Sequence, residues 1–228
     1  SNIGIYPIYI NNLIGSEGYI CMIEPDKRNI STLVKNSKLL TCKHNLVEGA
    51  ISDKTYTGKL FESDYTNLNS LDAINTPGKN FSSQEVKVIS IKDLLKKLPK
   101  DKKKFKLLRM DIEGGEVEVL KSIIESINDI SISNILFENH PVQYSKKKSL
   151  MIDLLKSFIN NNYVIDVLVS SGTNNSLKFE GFDYAPYKIL KSDGRYRGLF
   201  KDINQDKAIE LITKTPKLIR YVLLKKND

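Results

Sequence analysis

The sequence predicts an α/β fold, a mostly parallel sheet with helices on both faces. Three observations lead there. Short apolar runs alternate with helix-period segments along the chain. The run Tyr19 to Ile23 is continuously apolar, as a strand buried on both faces is. Acidic residues close three of the expected strands, and ligands of open α/β sheets bind at that edge. The 228 residues, 40% hydrophobic and 27% charged, suffice for one such domain with a sizeable core.

Each element has a local reason. Tyr19 to Ile23 ends at Glu24-Pro25-Asp26, where proline blocks continuation and Asp26 can cap the next helix, expected from about Lys27 to Asn36. A short strand follows over Asn45 to Ala50. Ser52 to Asn80 is polar, with Gly58, Pro77 and Gly78 as turn signals, and reads as a hairpin plus a loop. Val86 to Ile89 is a strand and Ile91 to Leu98 a helix. Phe105 to Met110 is a strand, followed by a helix with Val117, Leu120, Ile123, Ile124 and Ile127 on one face. Ile135 to Phe137 is a strand. The helix from Leu150 to Ile159 turns Met151, Leu154, Leu155 and Phe158 inward. Tyr163 to Val169 is a strand, and residues 170–197, rich in Gly, Ser and Asn, read as an excursion from the core. Ala208 to Thr213 is a short helix and Leu218 to Leu224 a closing strand. No repeat or linker divides the chain, so residues 1–228 are expected to form one domain.

Composition narrows the function classes. No apolar run approaches the roughly 18 residues of a membrane span. The net charge of +8 comes with an Ile-, Lys- and Asn-rich composition. Its basic residues are not interleaved with stacking aromatics, so no nucleic-acid partner is expected. Cys21 and Cys42 form no metal-ligand pair, and Cys21 lies in an apolar run, as a reduced core cysteine does. A cytoplasmic location is the expectation.

The richest stretch is Leu107-Leu108-Arg109-Met110-Asp111-Ile112-Glu113-Gly114-Gly115-Glu116. A strand stops at acids and glycines before an amphipathic helix. Carboxylates at the end of a buried strand are costly unless a site uses them. Glu24 and Glu138 close two other strands. Taken singly, each acid can be a turn or helix-terminus residue; on parallel strands all would share one edge. A carboxylate after an early strand of a Rossmann-like sheet commonly binds ribose hydroxyls of a nucleoside cofactor, and Glu24 fits that role. Gly4 alone does not make a glycine-rich loop.

Five motifs, in order, resemble one family. Asn2-Ile3-Gly4-Ile5-Tyr6 is similar to the "GANIGIY"-type turn of the FkbM-like methyltransferases. Ile23-Glu24-Pro25-Asp26 resembles their "FEPD" strand end, and Ala50-Ile51-Ser52-Asp53 their "A-hydrophobic-S-D" stretch. Met110-Asp111-Ile112-Glu113-Gly114 looks like "IDVEG". Phe137-Glu138-Asn139-His140 looks like "E-hydrophobic-H", with Asn139 in the usually apolar place. The resemblance implies a Rossmann-like class I methyltransferase using S-adenosylmethionine, with its first strand expected upstream of Ser1. It places Asn2, Ile3 and Gly4 on the methionine and ribose side, Glu24 on the ribose diol, and Ala50 and Ile51 near the adenine. Asp111 and Glu113 would face the methyl group and substrate, and Glu138 and His140 would border the acceptor pocket.

Methyl transfer to a hydroxyl requires alignment and a base. Asp111 and His140 are the first candidates for that base, with Glu113 and Glu138 behind them. No spaced ligand set predicts a metal. The acceptor is expected to be a small molecule or glycan, O-methylated on a sugar, lipid or metabolite hydroxyl. Two alternatives stand beside this reading, a cofactor-free scaffold and a nicotinamide-dependent oxidoreductase. The oxidoreductase lacks further glycines after Gly4 at Rossmann spacing. His44 reads as solvated. Lys96, Lys97, Lys100, Lys102, Lys103 and Lys104 precede their strand and fall at the opposite edge. Lys146, Lys147 and Lys148 fall on the site side, where a solvated loop competes with contact to an acidic acceptor. Tyr184, Tyr187 and Tyr196 could supply a lid.

Overall fold

The computed structural model describes residues 1–64, 68–72, 82–98, 104–174, 182–214 and 217–227. The turn at Pro77-Gly78 and the lysines at 100, 102 and 103 lie outside them, as do residues 175–181 of the expected excursion. By internal packing the chain divides into two compact units, Ser1–Leu94 and Leu95–Asp228.

The first unit begins with α1, Ile5–Ile14, a helix that the periodicity did not reveal. Its apolar run leaves Ile5, Tyr6, Tyr9 and Leu13 exposed, so no single face stands out. Pro7 sits in the first turn, where a missing N–H is tolerated. Asn11 anchors the helix: its buried Oδ1 accepts from the amides of Thr41, 3.0 Å, and Cys42, 3.1 Å. The strand β1, Tyr19–Glu24, alternates half-buried and buried residues, so it covers one face more fully than the other. Asp26 caps α2, Lys27–Ser37, by accepting from the Arg28 amide at 2.8 Å. The strand β2, Lys43–Glu48, runs parallel to β1 and brings Glu48 level with Glu24. Ile20, Met22, Leu33, Leu40 and Cys42 form the core here.

The single strand expected over Asn45 to Ala50 is divided at Gly49. A Cβ there would stand 2.5 Å from the Lys87 carbonyl oxygen. Beyond it β3, Ala50–Ser52, joins a different sheet with β4, Tyr56–Glu62, and β5, Ser82–Ser90. The central β5 is parallel to β3 and antiparallel to β4. The helix α3, Ile91–Lys97, follows.

The second unit carries short parallel strands β6, Lys104–Phe105, and β7, Leu108–Met110, then α4, Glu116–Glu125. Next come β8, Ser131–Ile132, β9, Asn134–Glu138, α5, Lys148–Asn160, and β10, Tyr163–Ser170. A hairpin of β11, Lys188–Ser192, and β12, Arg195–Phe200, precedes α6, Gln205–Ile212, and β13, Ile219–Lys226. The six-stranded sheet has the order β11-β12-β10-β13-β9-β7. The expectation of a mostly parallel sheet is corrected here. Only β7 and β9 pair parallel in this sheet. The closing strand β13 inserts between β9 and β10 and runs antiparallel to both. The six- and three-stranded sheets are therefore mixed, while the two-stranded pairs β1–β2 and β6–β8 are parallel. Within residues 170–197, β11 and the first half of β12 join the sheet, turning at Asp193 and Gly194, both at positive φ. Such a pair is the residue choice of a tight hairpin.

The helix faces emerge as anticipated. Val117, Leu120 and Ile123 of α4 and Met151, Leu154, Leu155 and Phe158 of α5 are buried. Phe158 meets Tyr163 edge to face with centroids 5.3 Å apart. Among the described residues, no helix is long and apolar enough to cross a membrane.

Candidate functional site

In the second unit the parallel pairing of β7 and β9 sets their carboxyl ends side by side, with Met110 opposite Phe137. Asp111 and Glu113 follow β7, Glu138 ends β9, and His140 lies two residues on. Four sequence-predicted residues thus meet at one edge. His140 Nε2 lies 3.6 Å from Glu113 Oε2 and 3.7 Å from Glu138 Oε1. Asp111, Glu113 and His140 each offer one donor atom within 4.8 Å of the others, close enough to hold one metal ion. Their separation in sequence hid this grouping from a spacing argument.

Local backbone sets the geometry. Glu113 adopts φ 49° and Gly114 φ 98°. A non-glycine residue there is uncommon and concentrates at functional sites. The tight turn is closed by the Gly115 amide donating to the Ile112 carbonyl, and it delivers the chain into α4. Asn139 fixes the other side. It is fully buried; its amide donates to the Arg220 carbonyl at 2.7 Å, and its Nδ2 to the Ile212 carbonyl at 2.8 Å. The Tyr144 hydroxyl donates to Asn139 Oδ1. The departure from an apolar residue at 139 therefore satisfies backbone carbonyls at the end of α6 and the start of β13.

The four groups titrate differently. Desolvation and then the charge of Glu138 push Asp111 up, against Arg109 at 3.1 Å. Desolvation also raises Glu113, with His140 opposing. Glu138 is held below the usual range: burial works against its charge, but Lys217 at 3.2 Å and Arg220 at 3.3 Å outweigh it. Burial disfavours the His140 imidazolium, yet Glu116 and then Glu113 raise it overall. A raised carboxyl beside a raised imidazole is an arrangement that can pass a proton.

Sequence reasoning missed Glu116, Lys217 and the role of Arg220. Glu116 is 0% exposed, and its Oε1 stands 2.8 Å from His140 Nδ1. An acid in the first turn of a helix is commonplace, so nothing in the pattern set Glu116 apart. Lys217 and Arg220 come from a segment far along the chain that only the sheet brings back.

The first unit holds the other predicted residues. Glu24 is buried at the end of β1. Its Oε2 accepts from the Asn2 amide at 2.6 Å and the Ser1 nitrogen at 3.1 Å. Its Oε1 accepts from the Asp26 amide at 3.0 Å and Asn29 Nδ2 at 3.2 Å. Asn2 and Gly4 lie at positive φ, and the Ile3 carbonyl accepts from Asn36 Nδ2 at 2.6 Å. A Cβ on Gly4 would come within 2.9 Å of Leu33, so that glycine permits close helix packing. Ala50 is buried and Ile51 half-buried on β3. Both cysteines are free thiols, and burial pushes Cys21 up to about 11.

The Methyltransferase FkbM domain matches residues 2–165. The chain is a member of the FkbM methyltransferase family. No curated protein and no solved structure matches it.

Proposed function

We propose that this chain is an S-adenosylmethionine-dependent O-methyltransferase acting on a hydroxyl of a sugar, glycan, lipid or other small molecule. Family membership supports methyl transfer. The observation that carries the hydroxyl reading is the Asp111, Glu113, Glu138 and His140 cluster at the ends of two parallel strands. A hydroxyl must lose a proton as it reacts, and these groups can take one. The family match crosses the division at Leu94, which supports one working domain over residues 1–228.

The donor set in the first unit fits a nucleoside cofactor. Glu24 is a carboxylate at the end of a parallel strand, the kind of acceptor a ribose diol uses. Its Oε2 partners, the Ser1 nitrogen and Asn2 amide, belong to one short turn and would yield to the diol, while Asp26 and Asn29 hold Oε1. Asn2, Ile3 and Gly4 would line the methionine side, and Ala50 and Ile51 the adenine. When bound, the sulfonium cofactor supplies an activated methyl group and takes back the carbon–sulfur bonding pair. Asp111 and Glu113 orient the acceptor and favour a nearby cation; Glu138, anchored by Lys217 and Arg220, borders the acceptor.

Titration calorimetry with S-adenosylmethionine and with NAD tests the cofactor. Methyl-labelled S-adenosylmethionine, incubated with a small-molecule extract, tests transfer. Binding of the sulfonium nucleoside with label entering an extract component is expected. Binding of NAD alone would favour an oxidoreductase, and binding of neither a scaffold.

A further inference from the structure

We propose that Glu116 is a positioning residue that keeps the proton of neutral His140 on Nδ1, so that Nε2 receives the proton of the acceptor hydroxyl. The inference rests on the transferase reading above and deepens it by choosing His140 over Asp111 as the base.

The geometry separates the two ring nitrogens. Nδ1 faces Glu116 Oε1 at 2.8 Å, a hydrogen-bonding distance. An ionised carboxylate only accepts, so the hydrogen of that bond belongs to Nδ1. Nε2 faces Glu113 at 3.6 Å and Glu138 at 3.7 Å, both beyond hydrogen-bonding distance. In the neutral ring Nε2 then carries the lone pair, on the side where the strand-end acids gather. A third group that orients a base and stabilises its protonated form is the general logic of a catalytic triad.

Burial makes Glu116 suitable for this work. It is 0% exposed at the first position of α4, and the Gly114 amide reaches the same Oε1 at 3.4 Å. Its Oε2 has no hydrogen-bond partner among the described residues. A buried carboxylate left half-satisfied is costly, and a purely structural role gives no reason to keep one. Opposite a base, the same negative charge stabilises the imidazolium that proton uptake creates. As the acceptor proton passes to Nε2, the oxygen's electron pair forms the bond to the methyl carbon. The carbon–sulfur pair leaves with sulfur, so the sulfonium charge disappears as the imidazolium charge appears.

The test is nitrogen NMR on the full chain labelled with 15N-histidine, assigning His44 by its absence in His44→Gln. The neutral His140 ring of the native protein is expected as the Nδ1–H tautomer. In Glu116→Gln, whose amide can donate to Nδ1, the Nε2–H tautomer is expected to gain, with kcat for label transfer falling roughly 10²- to 10⁴-fold and KM little changed. A native His140 in the Nε2–H form overturns the assignment, and needs no variant to be folded. So does a folded Glu116→Gln with native tautomer and native kcat. Failure of the native chain to bind S-adenosylmethionine overturns instead the transferase reading on which the role of Nε2 depends, and leaves the tautomer result standing.

Discussion

Glu24, which is buried, and the strand-end cluster of the second unit, where Glu138 is buried, Glu113 half-buried and Asp111 exposed, put carboxylates to opposite ends. Glu24 accepts hydrogen bonds at both oxygens, from the Ser1 nitrogen and Asn2 amide at Oε2 and from the Asp26 amide and Asn29 Nδ2 at Oε1. Asp111 and Glu113 crowd one another, Glu138 and a histidine, and two of the three acids are pushed upward. A carboxylate ringed by donors is a fixed acceptor. Carboxylates raised first by desolvation and then by neighbouring acids favour their protonated forms. On the proposed function, the contrast corresponds to a binding role for Glu24 and a chemical one for the cluster.

Of the substitutions within the comparison, the largest expected effect breaks it on the chemical side. Asp111→Asn removes a group that orients the acceptor and should lower turnover by about 10²-fold, with little change in S-adenosylmethionine affinity by calorimetry. Equal loss in both would make Asp111 a binding residue and erase the distinction. Next, Glu24→Ala should raise the cofactor Kd tenfold or more, a loss of about 1.4 kcal/mol. It should also cost about 1–3 kcal/mol of stability in denaturant melts, because buried donors lose their acceptor. Unchanged affinity would remove Glu24 from the cofactor.

The pH dependence sharpens the contrast. His140 sits above its ordinary value under Glu116 and Glu113, with Glu138 also near and Lys217 opposing. As the base, it works once deprotonated, so kcat/KM should rise with pH through a midpoint above that value. Its contribution to folding runs the other way. The raised imidazole stabilises the fold below its unfolded pKa, and that contribution is lost as pH rises through the folded one. Glu138, held low, stabilises above its unfolded pKa and loses that contribution as pH falls through its folded value. A rate profile that follows only an acidic group would assign the proton to Asp111. The smallest effect concerns the lysine stretch 146–148. Lys147 pairs with Glu118 at the surface. Lys147→Ala should shift stability by less than about 1 kcal/mol in a denaturant melt.

Much of this was legible in the sequence, for identifiable reasons. Met151, Leu154, Leu155 and Phe158 announce their helix because burial repeats at its period. Asp111, Glu113 and Glu138 stood out because acids at strand ends conflict with burial, and His140 through the resemblance of Phe137-Glu138-Asn139-His140 to a family motif. What escaped was governed by distant chain. The orientation of β13 depends on where it enters the sheet, which no local pattern records. Pro7 and the exposed Ile5, Tyr6 and Tyr9 hid α1. Gly49 divides a strand because of a carbonyl at residue 87. Asp193-Gly194 was the signal for the β11–β12 hairpin, read as loop composition instead of a turn between two strands.

Asn139 has a consequence for how little of this chain suffices. The family match ends at residue 165, yet Asn139 is moored to the carbonyls of Ile212, Ile219 and Arg220, and the cations beside Glu138 are Lys217 and Arg220. A polypeptide trimmed to the recognisable signature would keep every diagnostic residue and forfeit the scaffold that aims them. What makes the signature recognisable and what makes it operative reside in different stretches of the same molecule.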